Sequence, residues 1–104
     1  METAAAIKEY AHIEKTPGVC GGKACIEGTR IRVLDIVNLL RCGYEPEEMR
    51  DMYAVPLTLG QIHAALAYYY DHPEEIEASS RQARKVAAQV QREQARHLKQ
   101  RRAR

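Results

Sequence analysis

Apolar residues recur at positions 33, 36, 37 and 40, as Val33, Ile36, Val37 and Leu40. That spacing stacks side chains on one face of a helix, so residues 33–42 are predicted helical. Gly43 follows at the point where a chain commonly leaves a helix through a left-handed residue. Pro46 then opens a second helix over residues 46–53, with Glu47, Glu48 and Asp51 near its positive end and Met49, Met52 and Tyr53 as its buried side. Residues 54–57 form a turn stiffened by Pro56. Thr58 and Gln61 have capping-box spacing and start a third helix. Its apolar face is read as Leu59, Ile62, Leu66 and Tyr69, and its outward face as Gly60, Gln61, Ala64, Ala67 and Tyr68. Pro73 either kinks this helix or starts a fourth.

Ahead of the helices the pattern changes. Residues 1–9 are alanine-rich and lack periodicity, which predicts fraying or a short helix. Residues 10–14 alternate weakly and end before Pro17-Gly18, so they read as a strand, with residues 24–27 as its partner. Gly21-Gly22 marks the turn between the two, and Gly28-Thr29-Arg30 turns the chain again. Thr29 is expected to cap the following helix or to stabilise this turn. Arg30 is open to two readings: an anion contact, or an ion pair with Glu27 or with an acid of the second helix.

The chain from residue 77 has no Gly or Pro and many strong helix formers. At 100° per residue, Ala83, Val86, Ala87, Val90 and Leu98 gather on one side; Arg81, Lys85, Arg92, Arg96 and Lys99 gather opposite. The apolar stripe is thin, so the tail is expected to be partly disordered until something docks on it.

The length of 104 residues fits a single folded domain, residues 1–76, followed by a basic tail, residues 77–104. With no Trp and no Phe, aliphatic residues and six Tyr must fill a small core, so a homodimer is attractive. Three cysteines, Cys20, Cys25 and Cys42, cannot all pair in one chain. No secretory leader and no membrane span are expected, so a reducing cytoplasm and free thiols are the default. His12 with Cys20 and Cys25 matches no common zinc spacing, and no metal or cofactor is expected. The net charge of +2 hides an asymmetry. Residues 1–76 carry seven Lys/Arg against twelve Asp/Glu; residues 77–104 carry nine against two. An acidic body with a basic tail calls for an anionic partner.

The segment GGKACIEGTRIRV resembles the signature of the domain of unknown function 433 family, through Gly21, Gly22, Lys23, Ile26, Gly28, Thr29, Arg30, Ile31 and Val33. Gly43, Glu47, Glu48, Tyr53, Leu57, Thr58, Ile62, Ala65, Leu66 and Tyr69 continue the likeness, which covers about residues 11–76. Ala24-Cys25 departs from the family, which often has proline at one of these places. The resemblance implies a mostly α fold: a short hairpin, then a three-helix helix-turn-helix core related to homeodomain-like and winged-helix modules. It also implies kinship with VapB-type antitoxins encoded beside nuclease-like partners. It says nothing of the basic tail.

In a helix-turn-helix the third helix would enter the major groove, with Gln61 reading a base edge. Yet no Lys or Arg lies between Asp51 and Ser80, and phosphate neutralisation supplies much of the affinity for DNA. DNA-binding cations would come from Lys15, Lys23, Arg30 and Arg32, or from the tail. Gly60, Ala64 and Ala67 predict close packing or a dimer contact. Catalysis has little support: His12, His63, His72 and His97 are scattered, and Lys23 lacks the Ser/Thr and spacing of a phosphate loop. The tail lacks the aromatic anchors of a membrane-surface helix.

The expected function is therefore an antitoxin-like binding protein. Arg81, Lys85, Val86, Val90, Arg92, Arg96, Leu98 and Lys99 would engage and inhibit an acidic nuclease-type toxin, with DNA binding for autoregulation. A DNA-binding transcription regulator and a structural dimer whose tails form a bundle are the alternatives.

Overall fold

The computed structural model describes residues 7–102. The chain divides into two compact units, Met1–Pro73 and Glu74–Arg104.

In the first unit, β1 (Ile7–Tyr10), β2 (Ile13–Lys15) and β3 (Cys25–Ile26) form an antiparallel sheet in the order β1-β2-β3. The expected hairpin is the pairing of β2 with β3, in which Ile13 faces Ile26 and Glu14 faces Cys25. Two expectations are corrected here. Residues 7–10 are a strand, neither frayed nor helical, and residues 1–6 lie outside the described part. The single strand expected over residues 10–14 is split by a turn at Ala11-His12, where His12 adopts φ of +71°. The local pattern hid this turn because it contains neither Gly nor Pro. The β2–β3 connection includes one 3-10 turn, Cys20–Gly22.

Beyond β3 the chain reverses at Gly28, whose φ of +79° lies in the left-handed region that a Cβ disfavours. Thr29 is the brace of this turn. Its Oγ1 donates to the Ile26 carbonyl (2.8 Å) and accepts from the Ile31 amide (3.0 Å). The Ile26 amide closes the turn onto the Ile31 carbonyl at 2.8 Å. Of the two roles expected for Thr29, it takes the turn; the helix starts instead at Arg32, whose backbone amide donates to Asp35 Oδ2 (2.9 Å).

Helix α1 (Val33–Arg41) ends where Gly43 takes φ of +96°. Helix α2 (Pro46–Met49) is half the expected length. The carbonyl of Arg50 accepts from the Leu57 amide (2.9 Å), so the chain closes a loop where a longer helix would continue. Met52 is thereby left 40% exposed, contrary to its expected place in the core. Helix α3 (Leu59–Asp71) carries the anticipated reciprocal cap. Thr58 N donates to Gln61 Oε1 (2.8 Å), and Gln61 N donates to Thr58 Oγ1 (3.1 Å). The core gathers Ile13, Ile26, Val33, Ile36, Val37, Met49, Ile62 and Ala65, with α1 packed on α3.

Tyr68 belongs to this core as well. It is 1% exposed, whereas the helical pattern assigned it to the outward face. The reason is β1: Tyr10 meets the Tyr68 ring edge-on, with centroids 5.3 Å apart. The helix therefore buries two sides, one against α1 and one against the sheet. The Tyr10 hydroxyl also donates to the Asp71 carboxylate.

The second unit is a single helix. His72 ends α3 and α4 (Pro73–Arg102) begins at the proline, so Pro73 starts a fourth helix. The expected partial disorder of the tail is replaced by helix through Arg102. Unbroken helix formers account for this, since no residue in it after Pro73 is Gly or Pro.

Candidate functional site

Two regions of the molecule carry unspent chemistry: the outer surface of α4, and the glycine-rich connection that runs from β2 to α1.

On α4 each of the eight expected partner-binding residues is exposed: Arg81, Lys85, Val86, Val90, Arg92, Arg96, Leu98 and Lys99. Val86, Val90 and Leu98 are 49%, 45% and 53% exposed, large fractions for aliphatic side chains. Val90 and Leu98 border one shallow groove along the helix with Glu93, Gln94 and His97. Arg81, Arg84 and Lys85 border another with Ala78, Gln82 and Ala88. Arg84 is partly engaged, donating from Nη1 to Ser80 Oγ at 3.0 Å. The helix carries Glu74 and Glu75 in its first turn and its cations further on, the arrangement that the helix dipole favours.

The cationic residues considered for DNA are dispersed. Lys15 Nζ lies 5.8 Å from the centroid of Tyr68, over the ring. Arg32 is committed to Asp35: its Nη2 reaches Oδ1 at 2.8 Å and its Nε reaches Oδ2 at 3.3 Å. That hydrogen-bonded carboxylate raises the pKa of the guanidinium further above its ordinary value. An ion pair does form beside the Gly28 turn, then, but from Arg32; the Arg30 side chain is exposed, as is that of Lys23. Gln61 spends its side-chain oxygen on the Thr58 cap. Gly60 faces His12, so that an added Cβ would stand 3.7 Å from the imidazole Nε2.

The connection from β2 to α1 encloses an open recess of about 450 Å³ lined by Glu14, Thr16, Val19, Cys25, Gly28, Thr29 and Arg30. Glu14 organises its floor. One carboxylate oxygen accepts from the Gly28 amide (3.2 Å) and the other from Thr16 Oγ1 (3.2 Å). Cys25 is 2% exposed, and its thiol is pushed up to about 12, first by burial and then by a hydrogen bond with the Cys20 thiol. Tyr53, on the loop after α2, is pushed up as well, by burial and then by the nearby Asp35 charge. Sequence reasoning missed Asp35 and the hydrogen bond from the Cys20 thiol to the Arg30 carbonyl, and it placed Tyr53 only as a packing residue. The Arg32/Asp35 spacing of three was a usable signal for the first. Nothing local announced the Cys20 contact, because it joins residues ten apart in the chain.

Among the described residues no three His, Cys, Asp or Glu side chains converge to hold a metal ion. Among them, too, no helix is long and apolar enough to cross a membrane.

A comparison with curated proteins found no match. A solved structure, that of a DUF433 member protein from Anabaena variabilis, is similar at 40% identity and a TM-score of 0.61. The likeness covers 65% of this chain and 66% of that one, just under two thirds of the relative's length. The profile of the DUF433 family, described as proteins of unknown function, matches residues 13–69, from β2 through most of α3, and stops short of α4. That span exceeds half of the sequence and contains the whole glycine-rich connection, so the chain belongs to the DUF433 family.

Proposed function

We propose that this protein is an antitoxin-like binding module whose basic helix, α4, docks on an acidic protein partner. One observation carries the reading. A 30-residue helix exposes Val86, Val90 and Leu98 together with Arg81, Lys85, Arg92, Arg96 and Lys99. Solvent gains nothing from such an apolar stripe, whereas a groove rimmed by carboxylates would take both stripe and cations. A nuclease-type toxin, whose active site gathers carboxylates around a metal, is the partner of matching chemistry. Arg92 and Arg96 would pair with those carboxylates through charge-assisted hydrogen bonds and displace the metal, while the valines and Leu98 fill the groove. The first unit is the scaffold in this reading. Its α2–α3 turn supports a helix-turn-helix description, and a homodimer would double the number of docking arms.

Base reading by α3 is less well supported. Tyr68 is buried, Gln61 is tied into the helix cap, and α3 has no Lys or Arg. DNA contact for autoregulation would rest on α4 and on the exposed Lys23 and Arg30.

The test is co-purification of the full chain with the product of the adjacent reading frame. Wild type should retain that product and Arg92→Glu/Arg96→Glu should lose it. Equal retention by the double variant refutes the docking role.

A further inference from the structure

Glu14 and Arg30 line the same recess beside the Gly28 turn, and both carry charges that nothing in the fold matches. Among the described residues the Glu14 carboxylate meets only neutral donors, the Gly28 amide and the Thr16 hydroxyl, each at 3.2 Å. A carboxylate offers about four lone-pair positions, so part of its capacity stays open. Glu14 is half-buried, where a carboxylate without a cation is costly. The exposed Arg30 guanidinium forms no hydrogen bond or ion pair among the described residues. The two groups therefore do not pair with each other across the recess.

Both charges stand on fixed backbone. Glu14 lies in β2 and faces Cys25 of β3. Arg30 follows Thr29, the brace of the turn, and its own carbonyl accepts from the Cys20 thiol at 3.3 Å. Val19 and Cys25 add an apolar part to the lining. A few polar groups on a preset frame, with apolar wall beside them, is how small-molecule sites are built.

We propose that this recess binds a small zwitterion, a free α-amino acid being the simplest. The ammonium of the ligand donates to the open positions of Glu14, and its carboxylate accepts paired hydrogen bonds from Arg30. Charge selects this class. A simple cation drawn to Glu14 meets repulsion from Arg30, and a simple anion drawn to Arg30 meets repulsion from Glu14. A molecule that carries both charges is attracted by each and leaves the recess neutral. The fixed turn also reduces what must be ordered on binding. The lining residues all belong to the first unit and to the segment that the family profile matches, so the site does not rest on docking by α4.

The test follows backbone amide chemical shifts of the isotope-labelled full chain during titration with glycine, L-alanine and L-serine in turn. At least one of them should produce saturable shifts confined to residues 14–16 and 25–31. Ethylamine and acetate, which carry one charge each, should produce none at the same concentration. Arg30→Gln should weaken binding by about tenfold or more, as expected for loss of a charge-assisted pair. Glu14→Gln, which keeps an oxygen for Gly28 and Thr16, should do the same. Arg30→Gln is the decisive variant, because that exposed side chain holds nothing in the fold. No saturable shift with any of the three amino acids would overturn the proposal. So would an equal response to acetate or ethylamine, or unchanged affinity in Arg30→Gln.

Discussion

Tyr10 stands edge-on against Tyr68, the two rings 5.3 Å apart and inclined by 70°, and this contact joins β1 to the helix that follows Thr58. His72 completes the cluster, its ring 4.6 Å from Tyr68. Among the described residues Tyr68 is the largest fully buried side chain, and it is held by a strand at one end of the domain and a helix end at the other. Truncating it removes both contacts and leaves a cavity. Tyr68→Ala should cost about 3–5 kcal/mol of stability, read from chemical denaturation. Tyr68→Phe, which keeps the ring packing, should cost far less. If Tyr68→Ala left stability unchanged, Tyr68 would have to be a surface residue after all.

The Thr58–Gln61 cap makes a separate prediction. Each side chain satisfies a backbone amide that α3 would otherwise leave unpaired. Thr58→Ala should lower stability by about 1 kcal/mol. Gln61→Ala should act in the same direction by a similar amount. A cap role is distinguished from base reading by a mobility-shift assay with duplex DNA: Gln61→Ala should not alter any sequence preference.

The buried thiol sets a pH dependence. Cys25 ionises near its ordinary value in the unfolded chain and only at about 12 in the folded one, chiefly because burial disfavours the thiolate. In the intervening window the folded state binds more protons than the unfolded state, so stability falls as pH rises. Stability should be indifferent to this group below about pH 8 and should decline through the alkaline range. Tyr53, shifted upward for the same leading reason, adds to the slope. Melting scans of wild type and Cys25→Ala should converge as pH increases. Parallel curves would show that the thiol is not desolvated.

Much of this fold is legible in the chain. Val33, Ile36 and Val37 mark α1, Gly43 its end, and Thr58/Gln61 the start of α3, because each is a local rule with a local signal. What escapes is non-local. Tyr68 looks outward on a helical wheel because the wheel does not know that β1 covers its far side. The strand itself is invisible because its turn, Ala11-His12, uses a left-handed histidine where Gly or Asn is usual. Helix α2 stops early because a carbonyl of Arg50 is claimed by Leu57, a bond across six intervening residues. Of the candidate surface on α4, the residues were readable from charge and periodicity alone; the hydrogen bond from the Cys20 thiol to the Arg30 carbonyl was not, since it joins residues ten apart.

The proposed docking of α4 on a partner predicts where backbone amides become protected. Hydrogen exchange of the full chain, with and without the adjacent-frame partner, locates the contact directly, because amides buried under a partner exchange more slowly. Slowed exchange along residues 81–99 with little change over residues 59–71 is the predicted result. Protection confined to residues 59–71, with α4 exchanging as in the free protein, would contradict it.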